Sequence, residues 1–416
     1  MIDIFGGCEG IVRYLSPMAA VAIAVLIAGN CQGQKFEALL TGQVDEVSNP
    51  LIKWFREEPL VDATSVPTRP GGLVHDRDIK RFVRIYFPRS YGEVKDYEFI
   101  MLHSPVMYHL EQKHAVWMHD AIEEGSSSLS APACMSAHPD IHNAWVGSVL
   151  SSALPNDCAA VISAGGPEGK ETFHIIVNRD FPEPILTPFI DLGIEKFIGY
   201  HAFRIIPRQG VRTVAWQIGG FSGRVPYMAT WEYGEGRTMT LGDSFGLAFW
   251  SDYAGRASQN EYGLDILMNM VLYLIKREVP TDVLVFHRMR TTFTRFRTEM
   301  SLLISLAEFA QRFGASDAAI EEVVDSLREQ GELAEELYMN LDFEESQRVI
   351  GSAFEEFDES ESRIKRLKER ALMWVYLIEW MVVTATIMLS GYLVWSIMVR
   401  RRLYREVSVT RLEHER

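Results

Sequence analysis

Cysteine is scarce in this sequence, and closely spaced cysteines are absent. The chain has 4 cysteines in 416 residues, at Cys8, Cys31, Cys134 and Cys158. No two of them form a C-x-x-C pair, and their spacing fits no zinc site. This pattern excludes the common cysteine-based metal modules, and we expect no metal and no cofactor. Buried free thiols and disulfide bonds remain as alternatives, of which we expect free thiols.

Basic residues are also fewer than acidic ones. The chain has 41 lysines and arginines against 56 acidic residues, a formal net charge of −15. We therefore expect no nucleic acid as a partner, because a phosphate backbone attracts basic surfaces. The acidity is concentrated in residues 317–361, where 16 acidic residues stand against two arginines and the net charge is −14. We interpret this segment as the solvated face of polar helices.

Charge is missing altogether from one long stretch, residues 380–399. Its 20 residues would rise about 30 Å as a helix, which is one hydrocarbon thickness. Arginines at 400–402 follow immediately, and Trp374, Trp380 and Trp395 mark the two ends as aromatic residues do at membrane interfaces. We predict a single transmembrane helix here, with the lipid bilayer as its partner.

The amino-terminal segment leaves two alternatives open, and so does the orientation in the membrane. Residues 18–28 are small and apolar but too few to span a bilayer. They fit either the apolar part of a signal peptide or a first, buried strand of a parallel sheet. The arginines at 400–402 slightly favour a cytoplasmic tail and an extracytoplasmic domain. The absence of N-x-S/T sequons weakly favours the opposite side.

The hydrophobic pattern between these two ends predicts an α/β domain. It consists of a strand at 97–104, a helix at 107–124 and an extended run at 128–131. This alternation is typical of a parallel sheet. We expect residues 31–48 to form a polar loop, 202–206 to form a further strand, and 260–276 to form a strong helix near the end of the domain.

Amphipathic stripes follow that helix and predict a helical region leading into the membrane. We divide the chain into these parts: 1–18, an amino-terminal extension or the start of a signal segment; 19–282, the α/β domain; 288–372, an acidic helical stalk; 374–399, the transmembrane helix with its interfacial turn; and 400–416, a basic tail. Because each stalk helix has one apolar stripe, these helices could pack on one another or on a second copy of the chain. A homo-oligomer through the stalk and the transmembrane helix is therefore one expectation.

Three stretches of the α/β domain carry a family resemblance. Residues 97–104 (YEFIMLHS), the pair Leu154-Pro155 and residues 226–238 (PYMATWEYGEGRT) occur in this order. Over about residues 19–280 the chain resembles class I glutamine amidotransferase-like proteins, in their membrane-associated branch. The resemblance implies a flavodoxin-like, class I amidotransferase-like fold with a mainly parallel sheet.

The catalytic residues of that family are matched only in part. The resemblance implies a cysteine nucleophile on a G-x-C-x-G turn, with a histidine and a glutamate spaced H-x-E far downstream. Cys134 stands where the turn is expected, but its neighbours are Pro132, Ala133, Met135 and Ser136, and no H-x-E follows it in the chain. A glutaminase triad is therefore not supported by the sequence.

Several histidines and aspartates are candidates for binding a ligand instead. They are expected near the carboxyl ends of the strands, where open α/β sheets bind ligands. The candidates are His103, His138, His142, Asp243 and Asp252. The sequence favours a membrane-anchored, catalytically degenerate amidotransferase-like module that binds a ligand or a partner. The alternatives are a Cys134-dependent hydrolase or amidotransferase, and a purely structural homo-oligomer.

Overall fold

The structure of the chain is a computed structural model in two compact units. It describes residues 35–44, 50–71, 74–132, 134–135, 139–160, 173–194, 196–199, 203–219, 223–243, 261–312 and 318–413. One unit contains the chain up to Thr294 together with Glu335–Glu344. The other contains Arg295–Ala334 and the chain from Glu345 onward.

The first unit is built on a sheet of nine described strands. In chain order they are β1 (Phe36–Gly42), β2 (Val61–Pro67), β3 (Phe99–His103), β4 (Ser127–Ala131), β5 (Phe173–Val177), β6 (Lys196–Gly199), β7 (Arg212–Ile218), β8 (Arg224–Tyr233) and β9 (Gly236–Leu241). Their order in the sheet is β2-β1-β3-β4-β9-β8-β7-β5-β6. The five strands from β2 to β9 in that order are parallel, and the remaining pairs are antiparallel. The sheet is therefore mixed, with one parallel and one antiparallel half.

Helices cover both faces of the parallel half. The described α-helices are α1 (Pro50–Glu57), α2 (Asp76–Tyr86), α3 (Tyr91–Lys95), α4 (Gln112–Glu123), α5 (Pro139–Val146), α6 (Thr187–Ile190), α7 (Gly263–Leu274), α8 (Val283–Arg312), α9 (Ala318–Met339) and α10 (Phe343–Glu413). Residues of α1 and α7 share one hydrophobic core, and residues of α2, α4 and α5 share another. The predicted α/β class is confirmed by this arrangement.

The parallel strands explain the two cores, because successive side chains of a strand point to opposite faces. In β3, Phe99 and Met101 belong to the core under α1 and α7, whereas Ile100 and Leu102 belong to the core under α2 and α4. All five residues of β3 are buried. A strand buried on both faces needs a continuous apolar run, and the sequence FIMLH provides it.

Most of the strongly apolar elements were predicted correctly, and two weaker ones were not. The strands expected at 97–104 and 128–131 are β3 and β4, and the helix expected at 260–276 is α7. The expected polar loop at 31–48 is wrong, because β1 lies within it and pairs with both β2 and β3. The described part of 202–206 is not a strand; there Phe203 N–H donates to the carbonyl of Gly242 at 2.7 Å. The segment 18–28 lies outside the described residues.

The second unit has a small helical core of its own. Its buried residues come from α8, α9 and α10, and they are Phe296, Leu303, Leu327, Ala353 and Phe357. Gly331 lies within α9, which continues through this residue. A Cβ atom at Gly331 would lie 2.6 Å from Cε1 of Phe296, so the glycine makes room for the phenylalanine ring.

One helix among the described residues is long and apolar enough to cross a membrane. Within α10, residues Leu372–Tyr404 form a stretch of 33 residues that includes the predicted span at 380–399. Its large apolar side chains are exposed in the isolated chain, with Trp380 at 71% and Met388 at 72% of full accessibility. Exposed apolar side chains on every face are typical of helices that lie in a bilayer.

Candidate functional site

The carboxyl ends of the five parallel strands meet at one edge of the sheet. From β1 the chain passes to β2 on one side and then returns to β3 on the other, which creates a topological switch point between β1 and β3. Open α/β sheets bind ligands at such a point. We call the residues there the carboxyl edge; they are Gly42, Gln43, Thr68, Arg69, His103, Ser104, Cys134, Gly242 and Asp243.

Close backbone contact joins the ends of β1 and β3 at this edge. Gly42 has a φ of +110°, and a Cβ atom there would lie 1.8 Å from the carbonyl oxygen of His103, so only glycine fits. Gln43 N–H donates to that same oxygen at 2.9 Å. In return, His103 Nδ1–H donates to the Gln43 carbonyl at 2.8 Å. This contact assigns the hydrogen to Nδ1 and holds the buried imidazole in one orientation.

Ser104 turns the chain sharply at the end of β3. Its φ of 50° is left-handed, a conformation that costs a residue with a side chain roughly 1–2 kcal/mol. The Ser104 hydroxyl lies 2.8 Å from the Pro132 carbonyl and 3.2 Å from that of Ala131, to which it can donate. The turn therefore links the end of β3 to the segment after β4.

Cys134 forms a disulfide bond with Cys158. The two Cα atoms lie 5.6 Å apart and the residues are separated by 24 positions in the chain. Both cysteines are buried, so the expectation of free thiols is wrong for this pair. A disulfide sulfur is not a thiolate, and the thiolate is the form that acts as nucleophile. In this state Cys134 has a structural role at the position where the family resemblance implies a nucleophile.

A chain of buried polar side chains supports the disulfide. Asn156 Nδ2 donates to Cys134 Sγ at 2.9 Å, and Thr240 Oγ1 donates to Asn156 Oδ1 at 3.1 Å. Ser130 Oγ lies 2.6 Å from Thr240 Oγ1, which extends the chain to β4. All of these residues are fully buried. His142, one of the predicted ligand-binding residues, donates from Nδ1 to the Cys134 carbonyl at 2.8 Å.

The structure brings several of the predicted site residues to the same edge. His103, Cys134 and Asp243 follow or end β3, β4 and β9, and His142 contacts the backbone of Cys134. Asp243 is buried. The pKa of Tyr227 is raised by the burial of its own side chain and by the negative charge of Asp243. The other two candidates, His138 and Asp252, lie outside the described residues.

Two residues of the carboxyl edge were not predicted from the sequence. Thr68 and Arg69 follow β2, and their amide groups both donate to the Gly42 carbonyl, at 2.9 and 3.2 Å. The Arg69 side chain is half-buried and donates to the Ser104 carbonyl at 3.5 Å. Burial lowers the pKa of Arg69, and the nearby Tyr108 opposes this effect only in part. The available signal was an arginine directly after a strand, at the start of a turn-rich loop.

A second polar cluster lies away from this edge and has a structural role. Arg290 donates from Nε to Glu58 at 2.6 Å and from Nη1 to Asp265 at 2.7 Å, and all three side chains are at most 4% exposed. His287 Nδ1 lies 2.8 Å from the other oxygen of Asp265, and this hydrogen bond raises the pKa of His287. Burial alone would lower the pKa of Arg290, but the two carboxylates raise it instead. The Arg290 side chain therefore ties α8 to α7 and to the residue after α1.

One group of three residues on α4 has the spacing of metal ligands: His119, Asp120 and Glu123. Both ring nitrogens of His119 are already engaged, however. Its Nδ1–H donates to Asp120 at 2.8 Å, and its Nε2 lies 2.7 Å from the Tyr233 hydroxyl. A cation would have to displace one of these bonds, so the cluster is explained by the contact between α4 and β8.

Comparison with known proteins gives no family for the chain. No family model matches the sequence, and no curated protein matches it. Solved structures that are similar to part of it include two proteins of Salmonella typhimurium. One is Cytoplasmic Protein STM1381 from Salmonella typhimurium LT2, with 12% identity and a TM-score of 0.45 over 57% of this chain and 99% of that one. The other is Cytoplasmic Protein STM3548 from Salmonella typhimurium, with 14% identity and a TM-score of 0.42 over 57% and 98%. With values this low, we base no argument on either likeness.

Proposed function

We propose that the chain is a membrane-anchored, non-catalytic domain of the class I amidotransferase-like type that binds a ligand or partner at its carboxyl edge. The strand order β2-β1-β3-β4-β9 and the helices on both faces support a flavodoxin-like arrangement of the parallel half. The apolar stretch Leu372–Tyr404 supports a single membrane span near the carboxyl end. Such a span would make the lipid bilayer a partner of the chain and would place the basic tail directly after the membrane.

The main observation in support of this proposal is the disulfide bond between Cys134 and Cys158. The sulfur atom at the position of the family's nucleophile is bonded to another sulfur and is shielded from solvent. Asn156 is the one described side chain that hydrogen-bonds to Cys134 Sγ, and an amide cannot act as a general base. The carboxyl edge keeps its polar side chains but has no activated thiol. This combination fits a domain that binds a ligand or a partner at the carboxyl edge without catalysing a reaction.

The same disulfide supports a location for the domain. Structural disulfides persist in oxidising compartments and are rare in the cytosol of ordinary cells. We therefore place the α/β domain on the extracytoplasmic side and the tail after the span in the cytoplasm. Residues 18–28 would then belong to an export signal rather than to the sheet.

Two alternatives remain, each with one observation in its favour. For a Cys134-dependent hydrolase or amidotransferase, Asn156 Nδ2 could stabilise a Cys134 thiolate after reduction of the disulfide. For a structural homo-oligomer, Gly391 in the membrane span has open space around its Cα, which would let a second helix approach closely.

The Cys158→Ala variant tests the choice between binding and catalysis, because it leaves Cys134 as a permanent free thiol. We expect the full-length variant in detergent to hydrolyse neither glutamine nor p-nitrophenyl acetate above the level of the Cys134→Ala/Cys158→Ala double variant. The wild-type protein is assayed beside them, with and without a mild reductant. Turnover that appears in Cys158→Ala or in reduced wild type, and is absent from the double variant, would establish the enzyme instead.

A further inference from the structure

We propose that Arg69 and Thr68 form a binding site for a small anion, a carboxylate or phosphate group, at the switch point between β1 and β3. This inference rests on the proposed ligand-binding function of the carboxyl edge and names the chemical class of its ligand. The supporting observations are the environment of the guanidinium, the buried and unpaired hydroxyl of the preceding residue, and the hydrogen bonds that hold the backbone of both residues.

The Arg69 guanidinium lies in a setting that an anion would complete. It is half-buried, and its hydrogen bond to a protein group among the described residues is the long one to the Ser104 carbonyl, at 3.5 Å. Arg290 differs from Arg69 in this respect: it is a buried arginine with a structural role, and the carboxylates of Glu58 and Asp265 contact it directly. Removing a cation from water is unfavourable unless a partner compensates it. The described residues give Arg69 no carboxylate for that purpose.

Thr68 provides an independent sign of a missing partner. Its side chain is fully buried, and its hydroxyl has no hydrogen-bond partner among the described residues. Leaving a buried hydroxyl unpaired is unfavourable, so such groups are uncommon in native proteins. A hydroxyl can donate to an anion, and here it belongs to the residue that precedes Arg69. Thr68 therefore has a donor without an acceptor, and Arg69 has the long bond to the Ser104 carbonyl, so both residues have donor capacity left for a ligand.

The backbone holds these two residues at the switch point. Thr68 N–H and Arg69 N–H both donate to the carbonyl of Gly42, the last residue of β1. Val106 N–H donates to the Thr68 carbonyl at 3.3 Å, which ties the same segment to the chain after β3. The backbone of both residues is thus fixed between the ends of β1, β2 and β3 before any ligand arrives. Such preorganisation reduces the entropy lost on binding.

The donor set selects the ligand class. A guanidinium offers a planar fork of N–H groups that matches the two oxygens of a carboxylate or a phosphate. A cationic ligand would be repelled by Arg69, and a neutral ligand would leave its charge uncompensated. A small metabolite and an acidic side chain of a partner share this chemistry, so small anions are the appropriate first probes.

The test measures the binding of inorganic phosphate and of succinate to the full-length protein in detergent, by calorimetry and by the shift in melting temperature, at constant ionic strength maintained with chloride. We expect saturable binding of at least one of the two anions. The Arg69→Gln variant should lose at least about tenfold in affinity, because a hydrogen bond to a charged group contributes about 1.5–3 kcal/mol. The Thr68→Val variant, which keeps the shape of the side chain, should also bind more weakly without a loss of stability.

The Arg77→Gln variant is the matched control, because this arginine on α2 is 82% exposed and should contribute nothing to binding. Equal affinities of Arg69→Gln and Arg77→Gln would overturn the proposal, and so would the absence of saturable binding of both anions. Neither result would support the alternative that the chain is an enzyme, because that alternative is tested separately by the turnover of the cysteine variants. Conversely, turnover by those variants would refute the non-catalytic function while leaving the anion site to be judged by its own affinities.

Discussion

Replacing Arg290 with alanine is expected to destabilise the α/β unit by about 3–5 kcal/mol, because the buried carboxylates of Glu58 and Asp265 would lose the guanidinium that they share, although Asp265 would keep its hydrogen bond to His287. The loss should appear as a lower melting temperature of the full-length protein in detergent. It should also appear as a lower urea midpoint, followed by tryptophan fluorescence.

The control for this variant is Arg288→Ala, which removes an exposed arginine two residues earlier on the same helix. It should change the stability by less than about 0.5 kcal/mol. A triple variant, Arg290→Met with Glu58→Gln and Asp265→Asn, removes all three charges together and should recover part of the loss. Equal stabilities of Arg290→Ala and Arg288→Ala would show that the buried ion network does not stabilise the contact of the first turns of α8 with α7.

Removing the Cys134–Cys158 disulfide is expected to destabilise the same unit by about 3.5 kcal/mol, the chain-entropy value for residues 24 positions apart. The double variant Cys134→Ala/Cys158→Ala and the wild type under reducing conditions should melt at similar, lowered temperatures. The measurement is thermal unfolding in detergent, with the disulfide checked by the mass change on thiol alkylation.

Cys8→Ser/Cys31→Ser is the matched control for the disulfide, since it changes the same number of cysteines outside the bridge. Its melting temperature should follow that of the wild type with and without reductant. A wild-type protein that carries free thiols at Cys134 and Cys158 under oxidising conditions would contradict the bridge. A reductant that leaves the melting temperature unchanged would contradict its stabilising role.

The sequence was informative where an element is apolar enough to be recognised alone. FIMLH in β3 is buried on both faces, and α7 has one short apolar run that is almost entirely core. β1 lacks such a signal, because FEALLTG begins and ends with polar neighbours and contains Glu37 and Thr41. Its place in the parallel half of the sheet, between β2 and β3, depends on hydrogen bonds to these two strands, and a single segment does not reveal its partners.

The candidate site was predictable only to the extent that it follows from topology. Because His103 and Asp243 lie at the ends of recognisable strands, the rule for open α/β sheets places them at one edge. The contacts that give the site its character connect distant positions. Cys134 bonds to a cysteine 24 positions away, and Arg290 pairs with Glu58 across 232 positions. No local pattern encodes such pairings, so the disulfide was missed and Arg69 was not identified.

The most direct test of the proposed function is the side of the membrane on which the α/β domain lies. Single cysteines are placed at Arg77 on α2 and at Ser408 after the span, in a background with Cys8 and Cys31 changed to serine. Intact cells are treated with a membrane-impermeant maleimide, and lysed cells serve as the control in which both sites react. We predict that Arg77→Cys reacts in intact cells, that Ser408→Cys reacts only after lysis, and that Cys134 and Cys158 remain bridged. Reaction at Ser408→Cys but not at Arg77→Cys in intact cells, with Cys134 and Cys158 found as free thiols, would contradict the account and place the domain in the cytoplasm.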